Sequence, residues 1–290
     1  MRGLVRGSWP RKYNIMEEEQ EIVQEERTWH ITLAYNGTAY SGWQVQSDHK
    51  TVQGELLMRL RLMLQEPELR VLGCSRTDAG VHALDQHASF TVKGHDELTP
   101  EWLLYKLNRW LPEDILVKNV CIEKPGFNPR YDNFGKAYTY CISPGMKTSP
   151  MAAPFVWKTP KSLDVEAMRK AAALLVGEHD FASFAANPGI DIGSTVRKLW
   201  RLEVLEKGGL LFVNAVGESF LYKMVRGLTG YLVHVGSGYA APEETLRVLE
   251  AKNRSAAADS APGKGLFLAK VFWRENEWQE YNPLLPPFGI

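Results

Sequence analysis

The chain has 290 residues, about twice the length of a typical domain, so it holds two domains or one large one. Hydrophobic residues make up 44% and charged residues 23%, as in folded globular proteins, and no stretch reaches the roughly 18 apolar residues that a membrane span needs. The 34 basic residues balance the 34 acidic ones, which excludes an attraction of the whole chain to nucleic acid, so such a partner requires a local basic patch.

Folded sequence begins near residue 29, and residues 1–28 are predicted to be a disordered amino-terminal extension. Apolar residues alternate with polar or small ones over 29–35, ahead of the turn signal Asn36-Gly37, and this pattern predicts a strand. The other elements predicted in this half are a helix capped by Thr51, a strand at 69–73, a helix capped by Thr99, and strands at 116–122 and 137–142.

The segment 143–160 is rich in proline and lacks periodicity, which predicts a long loop or linker. We therefore expect an amino-terminal domain over 29–145, a linker over 146–160 and a carboxy-terminal domain over 161–290. The elements predicted beyond the linker are a helix capped by Asp164, a hairpin of strands 196–205 and 210–215, a helix over 220–235 interrupted by Gly227 and Gly230, a helix over 243–249 and a strand over 266–272. Each half combines strands with a helix and lacks strict βαβ alternation, so the expected fold class is α+β.

The three cysteines, Cys74, Cys121 and Cys141, are far apart and show no CxxC or Cys/His spacing. This pattern supports neither a disulfide framework nor a zinc site, and it is typical of a protein in the reducing cytoplasm. The sequence therefore predicts no metal centre.

The segment 73–83 carries the strongest chemical signal, because Arg76, Asp78 and His82 lie among small residues directly after a predicted strand. Small residues let a ligand approach the backbone closely. A carboxylate in such a loop can act as nucleophile or base, and a nearby guanidinium favours its charged form. The alternative interpretation is a structural turn closed by a salt bridge, and the residue types alone do not separate the two.

The run of residues 76–83, Arg-Thr-Asp-Ala-Gly-Val-His-Ala, resembles the signature of the tRNA pseudouridine synthase A (TruA) family. Other blocks resemble the family in the same order. They are 35–44, 107–108 with 111–115, 127–130 with 136–140, 177–184, 220–221 with 224–226, and 265–268.

The resemblance implies an isomerase that converts uridine to pseudouridine in the anticodon arm of tRNA, at nucleotides 38–40, without a cofactor. It also implies two α/β domains built on mainly antiparallel sheets, an active-site cleft between them, and a cytoplasmic homodimer that binds tRNA across both subunits.

Three residues match catalytic positions of the family. Asp78 is expected to be the essential nucleophilic carboxylate, although attack on the sugar, addition to the base and a purely electrostatic role all use the same group. Arg226 is expected to pair with Asp78 through a two-bond fork. Tyr138 is expected to stack on the flipped uracil and to take part in proton transfer through its hydroxyl.

Four further residues are expected to bind the substrate RNA. Arg76 lies in the catalytic loop and, by the resemblance, helps to displace the flipped nucleotide. His82 is able to donate to a phosphate, although a histidine in a tight loop is as often structural. Arg197 and Lys223 contribute to a basic excess in the second half that suits phosphate contacts.

The chain departs from the family pattern at Ser75, where glycine is usual, and at Asp85 and His87. Asp85 introduces a second carboxylate near the motif, and we expect it to affect RNA contacts or the titration of Asp78. Three alternative functions remain open at this point. They are the same reaction on another RNA, a nucleoside hydrolase that releases free base, and a non-catalytic RNA-binding protein on the same scaffold.

Overall fold

The computed structural model describes residues 25–145, 148–159, 162–186, 189 and 193–283. Within these residues it contains ten strands and six α-helices. The strands are β1 (Glu26–Tyr35), β2 (Leu72–Gly73), β3 (His82–Lys93), β4 (Ile115–Glu123), β5 (Gly135–Pro144), β6 (Trp157–Thr159), β7 (Gly177–Asp180), β8 (Val196–Lys207), β9 (Leu210–Gly217) and β10 (Leu266–Phe272). The helices are α1 (Val52–Leu64), α2 (Pro100–Trp110), α3 (Val165–Ala173), α4 (Met224–Gly236), α5 (Glu244–Glu250) and α6 (Glu277–Glu280).

The strands form one mixed sheet, which has the order β4-β1-β3-β10-β5-β9-β8-β7 along its main path. β2 pairs with β3 and β6 pairs with β5 at its margins. All neighbours are antiparallel except β10 with β3 and β5 with β6. The α+β class is confirmed, and β10, the last strand, connects the two halves of the sheet.

The predicted helix starts are confirmed by their caps. The Thr51 hydroxyl accepts a hydrogen bond from the Gly54 amide, the Thr99 hydroxyl accepts one from the Trp102 amide, and the Asp164 carboxylate accepts one from the Ala167 amide. Each bond satisfies one amide that the first helical turn leaves without a partner. The predicted strands at 29–35, 116–122, 137–142, 196–205, 210–215 and 266–272 are also present.

Several elements differ from the prediction. β3 was not predicted, because its sequence includes Asp85, Gln86 and His87, yet eight of its first nine residues are buried. The strand predicted over 69–73 is confined to Leu72–Gly73, and β6 lies within the predicted linker. The prediction of disorder for residues 1–28 lies outside the described residues over 1–24, and it is wrong for 26–28, which belong to β1.

Helix α4 is continuous, so the predicted interruption at Gly227 and Gly230 is wrong. A Cβ at Gly227 would lie 2.1 Å from the Phe184 carbonyl oxygen, and one at Gly230 would lie 1.9 Å from the Asp259 carbonyl oxygen. Both glycines are therefore sites where another chain segment packs directly on the helix backbone.

The two faces of the sheet have different surroundings. Trp29, Ile31 and Leu33 of β1 are fully buried in the main core, which also contains Leu56 and Leu60 of α1. Because strand residues alternate between faces, their neighbour His30 lies on the opposite face.

None of the helices within the described residues has the length and apolar character needed to cross a membrane.

Candidate active site

The loop that carries Asp78 connects β2 to β3 and is fixed by backbone contacts with residues 40–43. The Trp43 amide donates to the Thr77 carbonyl at 3.0 Å, and the Gly80 amide donates to the Tyr40 carbonyl at 3.2 Å. Gly42 has a φ of +97°, and a Cβ there would lie 2.5 Å from the Thr77 carbonyl oxygen. A glycine is required at this position, because it allows the two loops to touch.

Asp78 forms an ion pair with Arg226 of helix α4. The Arg226 Nη1 donates to Asp78 Oδ2 at 2.6 Å, and the two side chains are only 15% and 13% exposed. The Arg226 Nε donates to the Ala261 carbonyl at 2.7 Å, so the contact is a single bond and the expected two-bond fork is not formed. The guanidinium links the loop that carries Asp78 to a backbone carbonyl in the other half of the chain.

The segment 261–262, whose Ala261 carbonyl accepts the Arg226 hydrogen bond, is itself held in place by further hydrogen bonds. The Ala261 amide donates back to the Arg226 carbonyl at 2.9 Å, and the Tyr140 hydroxyl donates to the Pro262 carbonyl at 2.6 Å. Tyr140 is fully buried in β5, as a core aromatic residue. Asp78 is therefore positioned through a chain of contacts that begins in the sheet.

Tyr138 lies two residues before Tyr140, at the centre of the sheet between β10 and β9. Its ring packs edge-on against Phe220, with the centroids 5.0 Å apart. Its hydroxyl lies 2.6 Å from the Ser75 hydroxyl, three residues before Asp78. Burial raises the pKa of the Tyr138 hydroxyl, so the phenol is neutral at physiological pH and is able to donate a proton in a hydrogen bond.

Ser75 is held by Gln86, a fully buried residue of β3. The Gln86 side chain accepts from the Ser75 amide at 3.2 Å and donates to the Ser75 carbonyl at 2.7 Å. The same Nε2 lies 3.4 Å from the Tyr35 hydroxyl, which lies 2.8 Å from the Thr77 hydroxyl. A single buried amide therefore supports both ends of the segment 75–77.

His82 is buried, and both of its ring nitrogens are used within the protein. Its Nδ1 accepts from the Gly37 amide at 3.0 Å, which leaves Nε2 as the donor to the Lys264 carbonyl at 3.1 Å. Burial lowers the pKa of His82 to about 4, and the Lys264 bond opposes that shift only in part. The expectation that His82 donates to a substrate phosphate is contradicted by this geometry, because the ring has no free nitrogen and no access to solvent.

The other three basic residues of the prediction have different settings. Arg76 is exposed, and its side chain makes no hydrogen bond or ion pair with any described residue. Lys223 directly precedes α4 in a left-handed conformation, and its ammonium lies 5.0 Å from the Tyr222 ring centroid. Arg197 is half-buried at the start of β8 and donates to the backbone carbonyls of Ser194 and Val196.

Asp85 does not belong to the site, which corrects the expectation drawn from its place near the motif. Strand alternation puts it on the opposite face of β3 from Gln86. There its Oδ2 accepts from the Val271 amide at 3.0 Å, and the Lys118 and Lys270 ammonium groups lie within 3.6 Å of the carboxylate.

The structure thus brings together Asp78, Arg226 and Tyr138 from three separate elements. A carboxylate held by a guanidinium, beside a buried aromatic ring with a neutral hydroxyl, suits a reaction in which positive charge develops on a flat substrate. Sequence reasoning missed Ser75 and Gln86 as partners of this group. The available signals were the departure from the family pattern at Ser75 and, for Gln86, the polar run at 85–87.

Comparisons with known proteins show which family the chain resembles. The family model described as tRNA pseudouridine synthase matches residues 31–132 and 171–273. The tRNA pseudouridine synthase A 1 of Protochlamydia amoebophila is 39% identical over 249 residues, which are 85% of this chain and 96% of that protein. The tRNA pseudouridine synthase A of Thermosipho africanus is 42% identical over 84% of this chain and 98% of its own length. The tRNA pseudouridine synthase A of Chlamydia muridarum is 41% identical over 83% of this chain and 90% of its own length.

A chain in the crystal structure of a Cbf5-Nop10-Gar1 complex is 12% identical and covers 71% of this chain and 45% of its own length. The TM-score of 0.31 is too low for this similarity to support an argument about fold or function.

Proposed function

This chain belongs to the tRNA pseudouridine synthase family, and we propose that it acts on the anticodon arm of tRNA, at nucleotides 38–40, with Asp78 as its nucleophile. As a member of that family it is an isomerase that converts uridine in tRNA to pseudouridine. The observation that carries the catalytic assignment is the ion pair of Asp78 with Arg226, which is largely shielded from solvent.

The reaction is balanced without any added reagent. The bond between uracil N1 and ribose C1′ breaks, the base turns, and a bond between C5 and C1′ forms. C5 then loses its proton and N1 gains one. Because C1′ becomes electron-poor as the first bond breaks, a carboxylate beside it stabilises that charge or adds to the sugar.

Three features of the geometry support this proposal. Arg226 fixes the orientation of Asp78 through Nη1 while its Nε stays on the Ala261 carbonyl. A uridine inside an RNA stem must be flipped out before its sugar is reached. The Tyr138 ring offers the flat surface against which the flipped base stacks, and its hydroxyl carries a proton within reach of the loop.

Because the whole chain has no net charge, tRNA has to bind through local basic patches. Arg76 is exposed in the loop that carries Asp78, and we propose that it fills the space left by the flipped nucleotide. We assign phosphate contacts to Lys223 and Arg197. A homodimer would join the basic patches of two copies, and a cytoplasmic location would bring the enzyme to tRNA.

The test is to incubate the tag-free protein with unmodified tRNA transcripts and to map pseudouridine by carbodiimide-dependent stops of reverse transcription. We expect stops at uridines 38–40, and none in transcripts in which cytidine replaces those uridines. Stops elsewhere in tRNA contradict the site assignment. Release of free uracil without stops indicates a nucleoside hydrolase, and binding without either product indicates a scaffold that has lost its chemistry.

A further inference from the structure

A second group of chemically active side chains lies on the opposite face of the sheet from Gln86, where β1 and β4 pair. His30 of β1 is directly opposite Cys121 of β4 in the strand register, and Glu123 lies two residues further along β4. One ligand atom from each of the three lies within 4.8 Å of the other two, and His30 Nδ1 is 3.1 Å from Glu123 Oε1. It is the one group of three such side chains found among the described residues.

We propose that His30 Nδ1, Cys121 Sγ and the Glu123 carboxylate bind a divalent transition-metal ion of the zinc class. An imidazole, a thiolate and a carboxylate are all ligands of zinc, and a tetrahedral ion places its ligand atoms about 3.3–3.8 Å apart. The three ligand atoms lie within 4.8 Å of one another, so Cys121 and Glu123 would have to move by about 1 Å to bind the ion. The fourth position is left for water.

The other nitrogen of His30 has the partner that a metal-bound histidine requires. His30 Nε2 lies 2.7 Å from His87 Nδ1, and His87 Nε2 lies 3.3 Å from Asp85 Oδ2. A metal-ligating imidazole usually donates its second N–H to such a partner, which fixes its tautomer and its orientation. Here a second histidine and a carboxylate form that outer layer.

The hydrogen-bond pattern of this chain of groups leaves room for one further positive charge, which either a third proton or a metal ion supplies. Between Glu123, His30, His87 and Asp85 there are three gaps, and two neutral imidazoles supply only two protons. When His30 donates from Nδ1 to Glu123, His87 has to donate from Nδ1 to His30. The His87 Nε2 then faces Asp85 without a proton, and it is a buried nitrogen without a hydrogen-bond partner in the structure.

A metal ion at His30 Nδ1 removes this conflict. The proton of His30 then sits on Nε2 and is donated to His87 Nδ1, which places the His87 proton on Nε2, opposite Asp85. All three gaps are filled by two protons and one ion, with both imidazoles neutral and both carboxylates ionised.

The surroundings leave the site open to solvent at Glu123 and hold the His30 ring in place. Glu123 is 32% exposed while the His30 side chain is 9% exposed, so the site opens to solvent on one side only. The Trp273 and Phe127 rings pack around His30 at centroid distances of 5.2 and 4.8 Å. β4 is the edge strand of the sheet, and the ion would tie it to β1.

Cobalt(II) is the direct probe, because a thiolate ligand gives it an intense near-ultraviolet charge-transfer band. We expect one equivalent of Co²⁺ bound to the tag-free full-length chain to give this band together with visible bands typical of tetrahedral geometry, and Zn²⁺ to displace both. Zn²⁺ is also expected to raise the melting temperature of the wild-type protein, because it binds only the folded chain.

The variants assign the ligands. Cys121→Ser is expected to abolish the charge-transfer band and the Zn²⁺-dependent rise in melting temperature, and Glu123→Gln is expected to weaken Co²⁺ binding at least tenfold. His95→Gln is the matched control, because His95 also lies beside carboxylates, Glu66 and Glu97, and has no cysteine in its group. Absence of the band in the wild type, or its persistence in Cys121→Ser, overturns the proposal.

Discussion

At the scale of single residues, the site depends on contacts that join distant parts of the chain. The Asp78–Arg226 pair was expected from the family resemblance, and the structure shows it. The link from Ser75 to Tyr138 was not expected, because it depends on how β3 and β5 lie in the sheet. His82 was misassigned for the same reason, since its motif does not show that Gly37 and Lys264 occupy its ring nitrogens.

Replacing Ser75 with alanine removes the hydrogen bond to the Tyr138 hydroxyl, and we expect pseudouridine formation to slow about fivefold. This is the effect of losing a hydrogen bond worth about 1 kcal/mol. The measurement is the single-turnover rate on a tRNA transcript. If Ser75 acts through the Tyr138 hydroxyl, Ser75→Ala causes no further slowing in a Tyr138→Phe background, because the Ser75 and Tyr138 hydroxyls form one interaction.

Equal slowing by Ser75→Ala in both backgrounds contradicts this role and indicates that the serine only shapes the loop. Ser75→Gly serves as the control, because it also lacks the hydroxyl. We expect Ser75→Gly and Ser75→Ala to have similar rates.

The buried His82 predicts a loss of stability in mild acid. Its pKa in the folded state, about 4, lies below the ordinary value of 6.5, so between these pH values the unfolded chain binds more protons. The contribution of neutral His82 to the free energy of unfolding is therefore fully present above about pH 6.5. It is lost progressively as the pH falls toward 4, and the total loss is about 3 kcal/mol.

Urea unfolding at pH 7 and pH 5 measures this effect in the wild type and in His82→Gln. The variant should be less stable at pH 7, because the paired nitrogens are lost, and its stability should fall less between the two pH values. The same fall in both proteins contradicts the assignment to His82.

At the scale of elements, prediction succeeded where local signals decide the structure. Helix caps at Thr51, Thr99 and Asp164 and the glycine turn between β8 and β9 depend only on neighbouring residues. It failed for β3, whose polar residues are buried because they hydrogen-bond to partners distant in sequence. It also failed for α4, where Gly227 and Gly230 indicate close packing and the helix continues.

Replacing Gly227 with alanine tests that explanation. Alanine favours a helix over glycine by about 1 kcal/mol, yet a Cβ here would meet the Phe184 carbonyl at 2.1 Å. We expect a net loss of roughly 1–3 kcal/mol of unfolding free energy, as for overpacked cores, together with reduced activity because Arg226 is adjacent.

Gly236→Ala in the same helix is the matched comparison. Its Cβ would meet Cγ and Sδ of the Met168 side chain at 2.7 and 2.8 Å, and a side chain yields more readily than the backbone carbonyl that a Cβ at Gly227 meets. Chemical denaturation should show a smaller loss for this variant than for Gly227→Ala. An unchanged or raised stability of Gly227→Ala shows that the contact with Phe184 is not restrictive.

At the scale of the whole molecule, the two predicted halves share one sheet. The division at 146–160 stays a prediction, but β10 lies between β3 and β5 and pairs with both. The sequence predicted β10 as a strand and not its place in the sheet, because strand order depends on contacts between segments far apart in the chain.

The shared sheet predicts cooperative unfolding. Since β10 is a partner of strands from both halves, loss of either half exposes its edge, and we expect one transition in urea with the same midpoint by tryptophan fluorescence and by far-ultraviolet circular dichroism. Two separate midpoints contradict the prediction and indicate that the halves fold independently.

The central claim is that Asp78 carries the chemistry, and the most direct measurement is the single-turnover rate of pseudouridine formation by Asp78→Asn on a tRNA transcript. We predict a loss of at least about 10³-fold, as for other groups that act on developing charge, with transcript affinity and circular dichroism unchanged. Asp132→Asn, an exposed carboxylate whose contact with the Asn128 amide the variant keeps, should have the wild-type rate. A folded Asp78→Asn enzyme that works within tenfold of the wild-type rate contradicts the assignment.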